Sequence, residues 1–427
     1  MEQFRYKEDR LWCEDADLAE LARQFGTPLY VYSKQSVADH CRWIESAFGD
    51  TPHLSCYALK ANSNPEILRI LAAERIGADV GSIGELRRAL EAGFPPERIT
   101  FSGVGKRDDE IVAALEQGIH ALNAESEEEI AVINGIAGCL GKRARVFLRV
   151  NFDIPSDTHP YITTGSKHNK FGVEWSRAEE LIRAAGALPS VEVVGIHSHI
   201  GSQITKGETF AAAARAIVGL IGRLRRGGIN LPELNFGGGF GVQYRDYVLH
   251  PRLPAERENP EADLSTVKML KSVLPILKEA GCRILIQPGR SIVAHAGILI
   301  TKVLYRKQSS GKTFVIVDAG MNDLIRPSLY QSYHQIVPLS VRDVPHEVVD
   351  VVGPLCETGD FFALDRLLPA VERGEYLAVL CTGAYGYVLA SNYNGRPKPS
   401  EVLVEGKGSR VVSGQQSFDQ FSPGMWK

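Results

Sequence analysis

His53-Leu54-Ser55-Cys56-Tyr57-Ala58-Leu59 is a largely apolar run of strand length that delivers Lys60 to the turn Asn62-Ser63-Asn64, ahead of a helical pattern opening on Pro65. The same order of run, turn and helix then recurs. Further short apolar runs stand at Ala78–Val80, Ile99–Ser102, Ala121–Asn123, Val146–Val150, Val193–His197, Leu234–Phe236 and Ile284–Ile286. Helical patterns lie between them, at Pro65–Arg75, Gly84–Ala92, Asp108–Gln117, Ser126–Ile136, Ser176–Ala185, Thr209–Arg226 and Leu264–Ala280, and one more, from about Lys34 to Phe48, leads the series. Such a series predicts a closed parallel (β/α)8 barrel rather than an open sheet.

Past Arg290 the texture changes. Val293–Tyr305, Thr313–Asp318, Gln335–Leu339, His346–Val352, Tyr376–Leu380 and Glu401–Val404 are β-branched, alternating and separated by turns, so a carboxy-terminal β-sandwich or β-barrel domain is expected. The early run Leu29–Tyr32 is assigned to it. The expected division is 34–287 for the barrel, with 1–33 plus 288–427 for the β domain.

The whole chain sets outer bounds. Its 427 residues are too many for one ordinary core, and 44% hydrophobic with 23% charged residues is the balance of a globular protein. A net charge of -3 argues against nucleic acid or an anionic membrane as the main partner. No apolar run reaches spanning length and the acidic opening is not a signal peptide, so a cytoplasmic location is expected. Seven scattered cysteines without C-x-x-C pairs indicate neither a disulfide framework nor a zinc ribbon.

In a barrel of this kind the chemistry sits at the carboxyl ends of the strands, and the residues there are the unusual ones. Lys60 follows the first run; desolvated, its amine would become a nucleophile able to form a Schiff base. Asp79 and Ser82 close the second. His197-Ser-His199-Ile-Gly-Ser202 closes the sixth, and its paired imidazoles admit two readings: zinc ligands, or a flat ring against an aromatic cofactor with Ser202 meeting a phosphate. No further set of ligands is apparent, and no metal is expected. Gly237-Gly238-Gly239-Phe240-Gly241 follows the seventh run, where successive backbone N–H groups could turn toward one anion. Gln287-Pro288-Gly289-Arg290 follows the eighth and brings a guanidinium fork. The loop Pro160–Gly172 is long for a connection in such a barrel and is read as a wall or lid. In the β region, Gly353–Asp360 carries Cys356 beside Glu357, Arg326 stands four residues before Tyr330, and Tyr385 lies between small residues.

Taken together, Tyr57–Asn62, His197–Ser202, Gly237–Gly239, Pro288–Arg290, Cys356–Asp360 and Gly383–Gly386 resemble, in order and over about Thr27 to Glu405, the diaminopimelate decarboxylases, within the alanine-racemase-like class of pyridoxal phosphate enzymes. That resemblance implies pyridoxal 5'-phosphate as cofactor, a Schiff base on Lys60 and His199 stacked on the pyridine ring. It implies a cofactor pocket that includes Asp79, Gln287, Gly289, Arg290 and Tyr385, with Ser202, Gly237, Gly238, Gly239 and Gly241 at the phosphate. Arg290, Arg326 and Tyr330 correspond to substrate-carboxylate contacts, Cys356 to the proton donor, and Glu357 to the reader of the distal amino group, with Tyr385 meeting cofactor and substrate. The implied reaction is decarboxylation of meso-2,6-diaminopimelate at its D centre to L-lysine, the last step of lysine biosynthesis, in a homodimer whose sites are shared between chains.

One residue departs from the family pattern. Gln287 stands where the family carries a glutamate that pairs with the protonated ring nitrogen. A neutral amide loses that charge stabilisation, though it can still donate to an unprotonated nitrogen, and a slowed decarboxylase or one with a less favoured carbanionic intermediate is expected, which comparing turnover with Gln287→Glu would reveal. The rival readings are a relative acting on D-ornithine, D-lysine or arginine, a zinc hydrolase built on His197 and His199, and a catalytically silent relative.

Overall fold

The computed structural model describes residues 3–154, 169–254 and 266–421, which form two compact units: His40–Val242 with Leu264–Ser291, and Met1–Asp39 with Gln243–Asp263 and Ile292–Lys427. Gln243–Asp263, expected in the barrel domain, belongs to the second unit. Its Val248 lies in that unit's apolar core, and Gln335 closes both of Val248's backbone groups, accepting from N at 3.0 Å and donating to O at 2.8 Å.

The first unit is a closed barrel of eight parallel strands: His53–Ala58, Gly77–Val80, Ile99–Phe101, Ala121–Ala124, Ala144–Asn151, Val191–His197, Glu233–Asn235 and Arg283–Ile286. Neighbours in sequence pair in space. The eighth returns to pair with the first, Leu285 opposite Leu54, and the fourth meets the fifth, Leu122 opposite Val146, so no edge is left within the ring. Leu54, Cys56, Ala121, Phe147, Val194 and Leu285 form an apolar layer inside it. Three of its helices start at side-chain caps: Asn64 accepts from Glu66 N ahead of Pro65–Ala73, Ser82 from Glu85 N ahead of Ile83–Ala92, and Ser126 from Glu129 N ahead of Glu127–Cys139. Ser82, singled out from the sequence as a strand-end oddity, is such a cap. Of the long loop expected as a wall, residues 160–168 lie outside the described residues.

The second unit is built on a mostly antiparallel sheet. Gly297–Ser309 pairs with Lys312–Val317, Tyr376–Val379 and the early strand Leu29–Ser33, which also takes Ser400–Glu405 on its other side. Leu29 and Val31 thus pack with Ile298, Ile300, Ala378 and Val402 in one core. The strand expected from Val293 starts at Gly297, because Arg290–Val293 forms a helical turn and Ala294–Ala296 a 3-10 turn. Phe361–Pro369 and Gly408–Ser413 add strands that the sequence reading lacked. Among the described residues no helix is long and apolar enough to cross a membrane.

Candidate active site

Above its apolar layer the barrel carries a crown of buried polar side chains at the carboxyl ends of its strands: Asp79, Asn123, Arg149, His197, Asn235 and Gln287. Hydrogen bonds join most of them. Asp79 Oδ1 accepts from Thr100 Oγ1 at 2.9 Å, Ser102 Oγ at 2.6 Å and Gln287 Nε2 at 2.8 Å. Asn123 Nδ2 donates to Ser102 Oγ at 2.9 Å, Asn235 Nδ2 to Asn123 Oδ1 at 3.4 Å, and Gly237 N to Asn235 Oδ1 at 3.0 Å. Burial raises the Asp79 carboxyl, opposed by these hydroxyls and by the charges of Lys60 and Lys106.

Lys60 occupies the 3-10 turn Leu59–Ala61 that continues the first strand. It is exposed, so protein burial does not supply the desolvation invoked from the sequence. Its charge is near enough to act on Asp79, Glu85 and His199. Lys106 is a contrast. Its ammonium is fastened to Gly103 O at 2.7 Å, Asn123 O at 2.6 Å and Glu129 Oε1 at 2.6 Å, a fully satisfied structural cation.

The protonation of His199 is fixed by its partner. Gly238 N–H donates to His199 Nδ1 at 3.2 Å, so that nitrogen carries no proton. Burial first, then the charges of Lys60 and Arg149, hold the imidazole well below its ordinary pKa. The ring is therefore neutral with its proton on Nε2. His197 is buried, and neither ring nitrogen makes a well-aligned hydrogen bond, the Gln287 side chain being the polar group that approaches the ring. Burial again depresses it far, with the charges of Arg149 and His199 adding and the approach of Gln287 opposing.

The glycine turn does a different job from the one expected of it. A Cβ at Gly238 would run into Gln287 O and one at Gly239, where φ is +97°, into Gly201 O, so glycine here lets three strand-end loops close on one another. Of the N–H groups expected to converge on a phosphate, Gly237's goes to Asn235, Gly238's to His199 and Gly241's to Ile204 O at 2.9 Å. The polar groups set beside this turn are Ser202 and Arg290, whose Nη2 donates to Ser202 Oγ at 3.0 Å. Gly289 packs against Ala58 and Ala61, where a Cβ would stand 3.2 and 3.1 Å from their methyls, which seats Arg290 close to the Lys60 turn.

In the second unit the Cys356 loop is wound around Asp360. Gly353 N donates to Asp360 O at 3.0 Å, Leu355 N to Asp360 Oδ2 at 2.7 Å, and Met321 N to Asp360 Oδ1 at 2.6 Å. Cys356 and Glu357 are left exposed at the tip, with Cys356 N held by Asn394 Oδ1 at 3.1 Å and Glu357 Oε2 near Tyr393 OH at 3.5 Å. Arg326 is buried; its Nε donates to His334 Nε2 at 3.2 Å, and His334 Nδ1 donates to Leu380 O at 2.8 Å, which fixes that histidine as the neutral Nδ1–H form. Tyr330 closes the short helix Arg326–Tyr330, half-buried. Tyr385 has φ +56°, a left-handed conformation costly for a tyrosine and typical of functional loops.

Residues 34–294 match the family model for the pyridoxal-dependent decarboxylase pyridoxal binding domain. The diaminopimelate decarboxylase of Aquifex aeolicus is 45% identical over 97% of this chain and 95% of that protein. The chain belongs to the diaminopimelate decarboxylase family of pyridoxal-dependent decarboxylases. Among solved structures, the family member from Helicobacter pylori, complexed with L-lysine, aligns with TM-score 0.86 and 42% identity over 94% of this chain and 97% of that one. The one from M. jannaschii, in co-complex with L-lysine, aligns with TM-score 0.90 and 36% identity over 99% and 97%.

The residues at the strand ends fit the family's cofactor. An accessible amine, a neutral imidazole whose orientation is locked from below, and a serine and arginine beside a tightly folded glycine turn are the groups that an aldehyde, an aromatic ring and a phosphate call for. The zinc reading of His197 and His199 gives way to this. Among the described residues, no group of three or more His, Cys, Asp or Glu is placed to hold a metal ion. Sequence reasoning missed Arg149, whose Nη1 donates to Glu125 Oε1 at 2.7 Å and whose charge acts on both histidines, and the Ser102, Asn123 and Asn235 links. Their signal was available: a polar residue closing an otherwise apolar run in strand after strand.

Proposed function

We propose that this family member decarboxylates meso-2,6-diaminopimelate at its D centre to L-lysine and carbon dioxide, acting as a cytoplasmic homodimer. The observation that carries the reading is the joint presence of the Lys60 and His199 strand ends in one unit and of the Cys356-Glu357 tip and Arg326 in the other, in a chain 45% identical to a diaminopimelate decarboxylase. L-lysine in two of the related structures is the product of that reaction.

Pyridoxal phosphate, bound through Lys60, supplies an electron sink for the bond to be broken. The chain's own residues do the rest. His199, neutral and held edge-on by Gly238, offers a flat face. Ser202 and Arg290 offer donors for the phosphate, and the turn at Gly237, Gly238, Gly239 and Gly241 shapes the space beside them. Arg326, oriented by His334 and Ser332, and Tyr330 grip the distal carboxylate, and Glu357 pairs with the distal ammonium. Tyr385 borders cofactor and substrate. As the carboxylate carbon departs as carbon dioxide, its bonding pair stays at Cα and is quenched by the Cys356 Sγ–H proton; the exposed thiolate regains a proton from water.

The test is carbon dioxide release from meso-diaminopimelate with added pyridoxal phosphate, beside D-ornithine, D-lysine and arginine, with borohydride trapping read by mass at Lys60. Release from diaminopimelate alone with mass at Lys60 supports the reading. Preference for a substrate without a second carboxylate removes the substrate assignment, and absence of mass at Lys60 removes the mechanism.

A further inference from the structure

The Gln287 side chain has a fixed sense. Its Nε2 donates to Asp79 Oδ1 at 2.8 Å and to Ser102 Oγ at 3.3 Å. The reversed amide would set an oxygen against a carboxylate oxygen, so the amide nitrogen is fixed on the Asp79 side, where Asp79 and Ser102 share its donation, and Oε1 is turned away from them. An amide donating to an unprotonated ring nitrogen, the role considered from the sequence, would draw on the nitrogen that Gln287 keeps on Asp79.

Behind the amide stands an acid in a built site. Asp79 is 6% exposed, and three donors, from Thr100, Ser102 and Gln287, converge on its Oδ1. Burial, the largest influence, raises its carboxyl; the converging donors and the nearby charges of Lys60 and Lys106 oppose that and favour the ionised form. Ser102 cannot change sides: its hydroxyl proton goes to Asp79 while its oxygen receives Asn123 and Gln287. His197, the remaining titratable group facing Gln287, is held neutral by burial. A carboxylate accepting from an amide N–H makes the amide oxygen at the other end a stronger acceptor, because the two hydrogen bonds polarise one another.

We propose that Asp79 is a positioning residue that supplies, through Gln287, the counter-charge of the cofactor's pyridine nitrogen: Gln287 Oε1 accepts the N–H of a protonated ring, and the negative charge lies one residue behind it. The inference rests on the site being a pyridoxal phosphate site. It makes Gln287 a relay in place of a loss, and it assigns Asp79 a function at the ring that needs no direct contact.

The experiment is 15N spectroscopy of the full chain loaded with pyridoxal phosphate labelled at the ring nitrogen, followed through a pH titration. In the wild type the nitrogen is expected in its protonated position at neutral pH. Asp79→Asn should lower its titration midpoint by about one pH unit or more, a tenfold change in proton affinity, and Asp79→Asn/Gln287→Glu, which returns a charge to position 287, should restore it. Should Asp79→Asn fail to fold or to load, Gln287→Met cuts the same link with Asp79 in place and should likewise deprotonate the ring. A wild-type ring already unprotonated at neutral pH, or a midpoint unmoved in Asp79→Asn or in Gln287→Met, overturns the inference. A wild-type chain that takes up no labelled cofactor and no borohydride-trapped mass at Lys60 sinks the reading of the site itself, so the two failures are distinguishable.

Discussion

Two lysines near the top of the barrel show how a residue's neighbours decide its work. Lys106 has three acceptors within hydrogen-bond reach and holds a helix in place; Lys60 stands exposed on a one-turn helix with acids and an imidazole nearby. Lys60→Ala should abolish carbon dioxide release and the borohydride-trapped mass together, while Lys106→Ala should lower thermal stability and leave the trapping intact. Cys356 is the proposed proton donor. Cys356→Ala should reduce turnover by roughly 10²–10⁴-fold, the usual worth of a positioned general acid, with cofactor attachment at Lys60 unchanged; equal loss of attachment would show that the thiol has another role. Asp323 offers a pH signature away from the chemistry. Burial pushes its carboxyl up to about 7, so the folded chain keeps a proton that the unfolded chain, with a value near about 3.9, has released. Its contribution is fully present below about pH 4 and is lost as pH rises through about 7. Asp323→Asn should therefore gain on the wild type across that window, at up to about 1.4 kcal/mol per pH unit, in denaturant melts taken at successive pH values.

At the scale of elements, the loop from Gly353 to Asp360 is held by a carboxylate that serves two separate backbone amides, Leu355 N and Met321 N. Asp360→Ala leaves both without a partner, at about 1–3 kcal/mol each where water cannot reach. The expected outcome is a lower melting point together with reduced turnover and unaltered cofactor binding, measured on one preparation. The elements also show what the sequence could disclose. The barrel strands were legible because strands buried on both faces read as short apolar runs, and His53–Ala58 or Ile284–Ile286 have no other way to be satisfied. Phe361–Pro369 was not legible. Its pairing with His346–Val352 shifts register twice, and Asp365, at φ +47°, breaks the two-residue period that marks a strand. The polar strand ends were legible by residue type, whereas the run of their hydrogen bonds was not. Gly237, Gly238 and Gly241 announce a close approach, but a glycine does not say whether its N–H faces a ligand or a neighbouring loop, and here the loops claim them. Likewise Gln287 could be recognised as a departure, whereas the direction of its amide depends on Asp79, distant in sequence.

For the molecule as a whole, the division of labour runs along the barrel axis: apolar side chains fill the ring, and above them the crown from Asp79 through Asn123 and Asn235 to Gly237 is one hydrogen-bonded unit. If active sites are shared between two chains, as proposed, two inactive variants should rescue one another. Lys60→Ala mixed with Cys356→Ala and allowed to exchange subunits should regain about one quarter of wild-type turnover, since half of the dimers are mixed and each of those has one intact site of two. No recovery after exchange proven by mass would place every contributor to a site on a single chain. The committed amides of the glycine turn carry one last implication. A loop whose N–H groups are already tied to Asn235, His199 and Ile204 keeps its curvature by itself, so a phosphate arriving there as proposed would meet a finished socket, with little of its affinity spent on ordering the protein.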